Sequence, residues 1–87
     1  MNFQLINGQF NSQEALEIIT QLVHVKIRYQ ENKIQRSSAE EDIKMRESRI
    51  KQLQKELYEF KKEIEKNVGL VNIQGAIEVL KNKKNEK

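Results

Sequence analysis

The feature that most constrains the fold is the near absence of residues that break helices. The 87-residue chain has no proline and only three glycines, and its many Glu, Lys, Gln, Ile and Leu residues favour helices. From Ile50 to Ile64 the apolar residues follow one another at steps of three and four, which is the spacing of one helix face. The sequence therefore predicts long amphipathic helices.

Two such helices are predicted, joined by a short polar break. Their predicted bounds are residues 11–35 and 39–67. Asn11 with Glu14 has the pattern of a capping box, and so has Ser38 with Glu41 at the start of the second helix. Gly69 is expected to close that helix in a left-handed conformation. Because the break is short, the second helix is expected to fold back antiparallel on the first.

The widths of the apolar faces indicate how the hairpin associates. The second helix carries one apolar stripe and the first carries two, so a hairpin leaves one stripe uncovered, which soluble monomers rarely tolerate. We therefore expect a homodimer in which two hairpins form a four-helix bundle. The alternative is a monomer in which the termini cover the first helix. The candidate interface residues are Ile18, Ile19, Leu22, Val23, Val25, Ile43, Ile50, Leu53, Leu57, Phe60 and Ile64.

Arg46 interrupts the stripe of the second helix at a position where an apolar residue would continue it. A polar residue in such a seam can favour one register over others, so Arg46 is a candidate specificity residue. The alternative is that its guanidinium reaches the surface from the end of the hairpin.

The two ends of the chain differ from the helical middle. Residues 1–10 are β-like, and Asn7-Gly8 is typical of a tight turn, so either a small hairpin or a single strand is expected there. Whether this segment pairs within or between chains is left open. Residues 72–81 keep helical spacing and predict a short third helix, which Gly75 disfavours by about 1 kcal/mol.

These elements together predict an all-α fold with an antiparallel two-helix hairpin and a coiled-coil-like seam. The prediction is one domain over residues 1–81 and a disordered charged tail over residues 82–87.

Composition indicates which classes of function to expect. The chain has no cysteine, and His24 is its only histidine, so we expect no zinc site and no other metal or cofactor. The acidic residues do not converge on a pocket, so we expect no catalysis. We see neither a secretory signal nor a membrane-spanning stretch. A reducing, cytoplasmic location is expected for a chain without cysteine.

The favoured function is a self-associating protein-interaction or scaffolding module, which could also bind another protein. The alternative is a nucleic-acid-binding accessory or regulatory protein that uses the basic tail and four lysines of the second helix, namely Lys44, Lys51, Lys55 and Lys62. The net charge of +3 is modest, and acidic residues alternate with these lysines. Nucleic acid is therefore the less favoured partner.

Overall fold

A computed structural model describes residues 1–66 and 69–82, which form a strand, two long helices and a second strand. Their bounds are β1 Asn2–Phe10, α1 Ser12–Arg36, α2 Glu40–Glu65 and β2 Val71–Glu78. The helices pack against each other, and the strands form a two-stranded antiparallel sheet. Both strands approach α1, whereas neither approaches α2 as closely.

The predicted all-α class is wrong, because the two ends of the chain pair as a sheet that makes up 21% of the structure. The predicted short third helix over residues 72–81 is replaced by β2. From Val71 to Ile77 every second residue faces inward, and burial alternates along the strand, as it does on a sheet with one covered face. The chain is therefore a helical hairpin whose ends are joined by a sheet.

The N-terminal segment is a single strand that pairs within the chain. Asn7 and Gly8 form no turn, because they lie inside β1 opposite Gln74 and Ile73, and no described glycine has a positive φ. The register shifts by one residue between Gln4 and Ile6, so β1 contains a bulge there.

The start of α1 confirms the predicted capping box. The Asn11 Oδ1 accepts a hydrogen bond from the Glu14 backbone N–H at 2.8 Å, and the Glu14 Oε1 accepts one from the Asn11 N–H at 3.1 Å. Together these bonds satisfy two of the amide donors that a helix start leaves unpaired.

The predicted caps of the second helix are wrong. Ala39 is the N-cap of α2 and has no side-chain capping bond, while the Ser37 Oγ accepts a hydrogen bond from the Ala39 N–H at 3.2 Å. At the other end α2 stops at Glu65, before Gly69, which is not left-handed. The predicted last helical residue, Asn67, and residues 83–87 of the predicted tail lie outside the described residues.

The buried core of the described residues is small. It consists of Ala15, which is wholly buried, together with Ile27, Leu53, Ile64 and the polar Gln30. The Cα atoms span 50 × 31 × 13 Å, so the molecule is a thin plate. No helix within the described ranges combines the length and apolarity needed to cross a bilayer.

Candidate interaction surfaces

The seam between the helices contains the predicted stripe of α2. Leu53 and Ile64 are buried there, opposite a face of α1 that buries Ile27 and Gln30. The other predicted α2 residues are half-buried, and they are Ile43, Ile50, Leu57 and Phe60. On α1, Ile19 and Val23 are also half-buried and border this face. Packing within the hairpin thus covers the stripe of α2 with α1 of the same chain.

Arg46 joins the helices through a polar network at the turn end of the seam. Its Nη1 donates a hydrogen bond to the Gln30 Oε1 at 2.9 Å, and its Nε donates one to the Asp42 Oδ2 at 3.2 Å. The buried Gln30 side chain is 16 positions away in sequence, so this contact links α1 to α2. The guanidinium is largely buried, with 19% of the side chain exposed, and it is held in the seam rather than released to solvent.

Asp42 is negatively charged over a wider pH range than an ordinary aspartate because of this network. The Ser37 hydroxyl, and then the Arg46 guanidinium, lower the pKa of the Asp42 carboxyl below its usual value. The carboxylate therefore keeps its charge, and the ion pair with the guanidinium, further into the acidic range than an ordinary aspartate would. This anchors the long side chain where it meets Gln30.

The second stripe of α1 faces away from α2. We call it the outer stripe, and it consists of Ile18, Leu22, Val25 and Tyr29. At about 100° per residue, Val25 and Tyr29 lie on the side of the helix opposite to the buried Ile27, and they are 57% and 54% exposed. The Lys33 Nζ lies 5.7 Å from the Tyr29 ring centroid. Ile18 and Leu22 are half-buried, so the outer stripe is more than half exposed only at Val25 and Tyr29.

The exposed face of α2 is basic, in contrast to the apolar outer stripe of α1. Lys44, Lys51, Lys55 and Lys62 are all exposed, and at about 100° per residue they fall within roughly 40° of one another. We call this set the lysine strip. Within the described residues the ion pair between Arg46 and Asp42 is the only one, so none of these lysines lies within ion-pair distance of a carboxylate, although Glu40, Glu47 and Glu59 flank the strip along the helix. The Lys62 Nζ lies 5.1 Å from the centroid of the Tyr58 ring.

An open groove follows the helix pair on one side, and it is lined by His24, Arg28 and Glu31 of α1 and by Tyr58 and Lys61 of α2. His24 is exposed, as expected for a histidine on a polar face. In the described part of the chain, no three His, Asp or Glu side chains converge in the way a metal site requires.

The edge of the sheet is a surface that the sequence prediction missed. The strands have no third partner in the described chain, so β1 and β2 each have one edge without a strand beside it. Alternation at Val71, Ile73 and Ile77 was the available signal for β2, but Ile73 and Ile77 also fit helical spacing together with Ala76.

Comparisons with known proteins add no functional information. No protein-family model, no curated protein and no solved structure matches this chain.

Proposed function

We propose that this chain is a non-catalytic, self-associating protein-interaction module that dimerises through the outer stripe of α1. The observation that carries this proposal is the outer stripe itself, in which Val25 and Tyr29 are each more than half exposed. An apolar strip along a helix is the usual form of a helix-to-helix contact. A second copy offers an identical strip, so a two-fold contact is self-complementary.

The total surface of the chain supports the same proposal. Its accessible area is 7567 Å², whereas a compact monomer of 10.3 kDa exposes about 5,400 Å². Even if the seven residues outside the described ranges were fully extended, they would account for only about 1,200 Å². The remaining excess is roughly 1,000 Å², and a standard interface buries about 800 Å² on each partner.

Sedimentation equilibrium across a wide concentration range tests the proposed dimer, with Val25→Lys as the decisive variant. Because Val25 is 57% exposed and lysine favours helices, the substitution should leave the hairpin folded. It places a charge in the centre of the outer stripe, and we expect the dissociation constant to rise at least about tenfold, equal to about 1.4 kcal/mol.

Ser48→Lys is the matched control, since Ser48 is exposed on α2 and the substitution adds the same charge. We expect this variant to associate like the parent chain. A parent chain that stays monomeric at every concentration would contradict the proposed function. Equal weakening by both substitutions would assign the effect to charge and not to the outer stripe.

We also propose that the module acts in the cytoplasm, since a chain without cysteine needs no oxidising compartment to fold. Fractionation of cells that express the tagged chain tests this location. Recovery outside the cytoplasmic fraction would contradict it.

A second candidate function is the binding of nucleic acid by the lysine strip. The favouring observation is that the four lysines follow one line along α2 with no carboxylate paired to them in the described chain. From Lys44 to Lys62 the strip spans about 27 Å of helix. A row of cations of this length matches a run of phosphates, and its affinity should depend steeply on salt.

Fluorescence anisotropy with a labelled DNA oligonucleotide at low and moderate salt tests this second function. We expect Lys51→Gln with Lys55→Gln to reduce the slope of log affinity against log salt by about two contacts, or roughly 1.8. The control is Lys26→Gln with Lys33→Gln, which removes the same charge from α1 and should change the slope less. An absence of binding at low salt would rule this function out.

A further inference from the structure

We propose that the outer edge of β2 pairs antiparallel with the same edge of a second copy, joining two sheets of two strands into one of four. This inference rests on the proposed self-association and adds a backbone contact to it. The contact would be β-augmentation, in which main-chain hydrogen bonds supply the attachment.

Hydrogen bonds at the end of the sheet identify which groups of β2 are free. The Val79 N–H donates to the Met1 carbonyl oxygen at 2.7 Å, and the Met1 amino group donates to the Val79 carbonyl oxygen at 3.0 Å. Met1 and Val79 are thus a hydrogen-bonded pair. Backbone groups of successive strand residues point to opposite sides, so the odd-numbered residues of β2 also point toward β1. The even-numbered residues point outward, and they are Asn72, Gln74, Ala76 and Glu78.

Neither strand carries the full set of features that protect an exposed edge. Natural edges are shielded by charged side chains, proline, bulges or short length. β1 has no charged residue and β2 has only Glu78, at its end, while the chain has no proline. The bulge near Leu5 interrupts β1 and shields that edge, whereas β2 pairs over eight residues without a bulge of its own. The unshielded edge is therefore that of β2.

The alternation of side chains makes this edge complementary to itself. When the outward even-numbered residues of two β2 strands pair, odd-numbered residues stand opposite odd-numbered residues. The half-buried face of each β2, with Val71, Ile73 and Ile77, then continues across the junction as one apolar surface. In a pairing centred on Gln74 or Gly75, the two Glu78 carboxylates lie at opposite ends and do not repel each other.

A second copy is the occupant that the observations favour. A two-stranded sheet is marginal alone, and independent stability takes three or more strands or packing against a helix. Here the sheet contacts only one helix, α1, so its stabilising contacts are few. Pairing of β2 with β2 enlarges the sheet to four strands with the residues already present.

Residue-resolved amide hydrogen exchange, followed by NMR at low and high protein concentration, tests the pairing. The odd-numbered amides of β2 should be protected at both concentrations because they bond to β1. The amides of Asn72, Gln74 and Ala76 should gain at least about tenfold protection on concentration, as expected for newly bonded backbone groups. Free exchange of these amides in a sample that sedimentation shows to be dimeric would overturn the inference and leave the proposed function intact. A monomer at all concentrations would overturn both.

The variant Gln74→Pro provides an independent test of the β2 contact. Proline removes an N–H that points away from β1, a position where an edge strand tolerates it. We expect the dissociation constant to rise at least about tenfold, while Gln74→Thr, which keeps the N–H, should associate like the parent chain. Equal association of both variants would overturn the β2 contact. The exchange pattern of the parent chain decides the matter if the proline variant fails to fold.

Discussion

Replacing Leu53 with alanine is expected to reduce the free energy of unfolding by about 2–5 kcal/mol. Leu53 is 9% exposed and is one of four buried apolar residues in the described chain. Truncation removes apolar contacts and leaves a cavity between α1 and α2, because a two-helix seam has few other side chains that can fill it. Urea unfolding followed by circular dichroism, at one protein concentration, measures the loss.

Met45→Ala is the matched control on the same helix, since Met45 is 45% exposed and both residues are good helix formers. We expect a loss within about 0.5 kcal/mol for this variant, as for most surface substitutions. A loss below about 0.5 kcal/mol for Leu53→Ala would contradict the packing of the seam.

Replacing Arg46 with alanine is expected to cost about 1–3 kcal/mol, mainly because it leaves a buried amide oxygen without its donor. Gln30 is 9% exposed, and the Arg46 Nη1 is the partner that the structure gives to its Oε1, at 2.9 Å. The loss of the Asp42 pair adds less, because a partly exposed ion pair contributes little. Urea unfolding at neutral pH measures the change.

A double-mutant cycle with Gln30→Leu and Arg46→Leu separates the hydrogen bond from packing. Each single leucine variant leaves one polar side chain without its hydrogen-bond partner, whereas the double variant removes both side chains. We therefore expect the double variant to be more stable than the sum of the single losses implies, as when a buried polar pair is replaced by apolar groups. Strict additivity would show that Arg46 and Gln30 are not coupled.

Local signals in the sequence account for the helical half of the fold. Asn11 and Glu14 contain a complete capping box within four positions, so the start of α1 follows from neighbouring residues alone. The stripe from Ile50 to Ile64 spans about four turns, which is long enough to separate a helix from a strand. Burial of Leu53 and Ile64 follows from the same pattern.

The sheet could not be predicted in the same way, because its pairing joins opposite ends of the chain. Over residues 72–81 an apolar residue at 73 fits steps of three and four with Ala76 and Ile77, and it also fits alternation with Val71 and Ile77. A short pattern cannot choose between these periods. The strand is selected by pairing with β1, whose backbone hydrogen-bond partners run from Phe10 opposite Val71 to Asn2 opposite Glu78 and so lie far away in sequence.

The candidate surfaces differ in the same way, because two of them follow from sequence spacing and the third depends on strand pairing. The outer stripe follows from the width of the apolar face of α1, and the lysine strip follows from spacing along α2. The free edge of β2 depends on which backbone groups point away from β1, and this is fixed by the pairing of Met1 with Val79. Spacing alone marks Arg46 as an exception in the seam, but it does not point to the partner Gln30, which lies on the other helix.

The order in which the strands are synthesised has a consequence for the newborn chain. β1 leaves the ribosome first, and β2 follows only after the roughly sixty residues between Phe10 and Val71. At about 5–20 residues per second, β1 stays without its partner for about 3–12 s. Its nine residues carry no charge, so during that interval an uncharged strand is open to neighbouring nascent chains. Early formation of the helical hairpin shortens the search, because it brings the two ends of the chain together before the sheet closes.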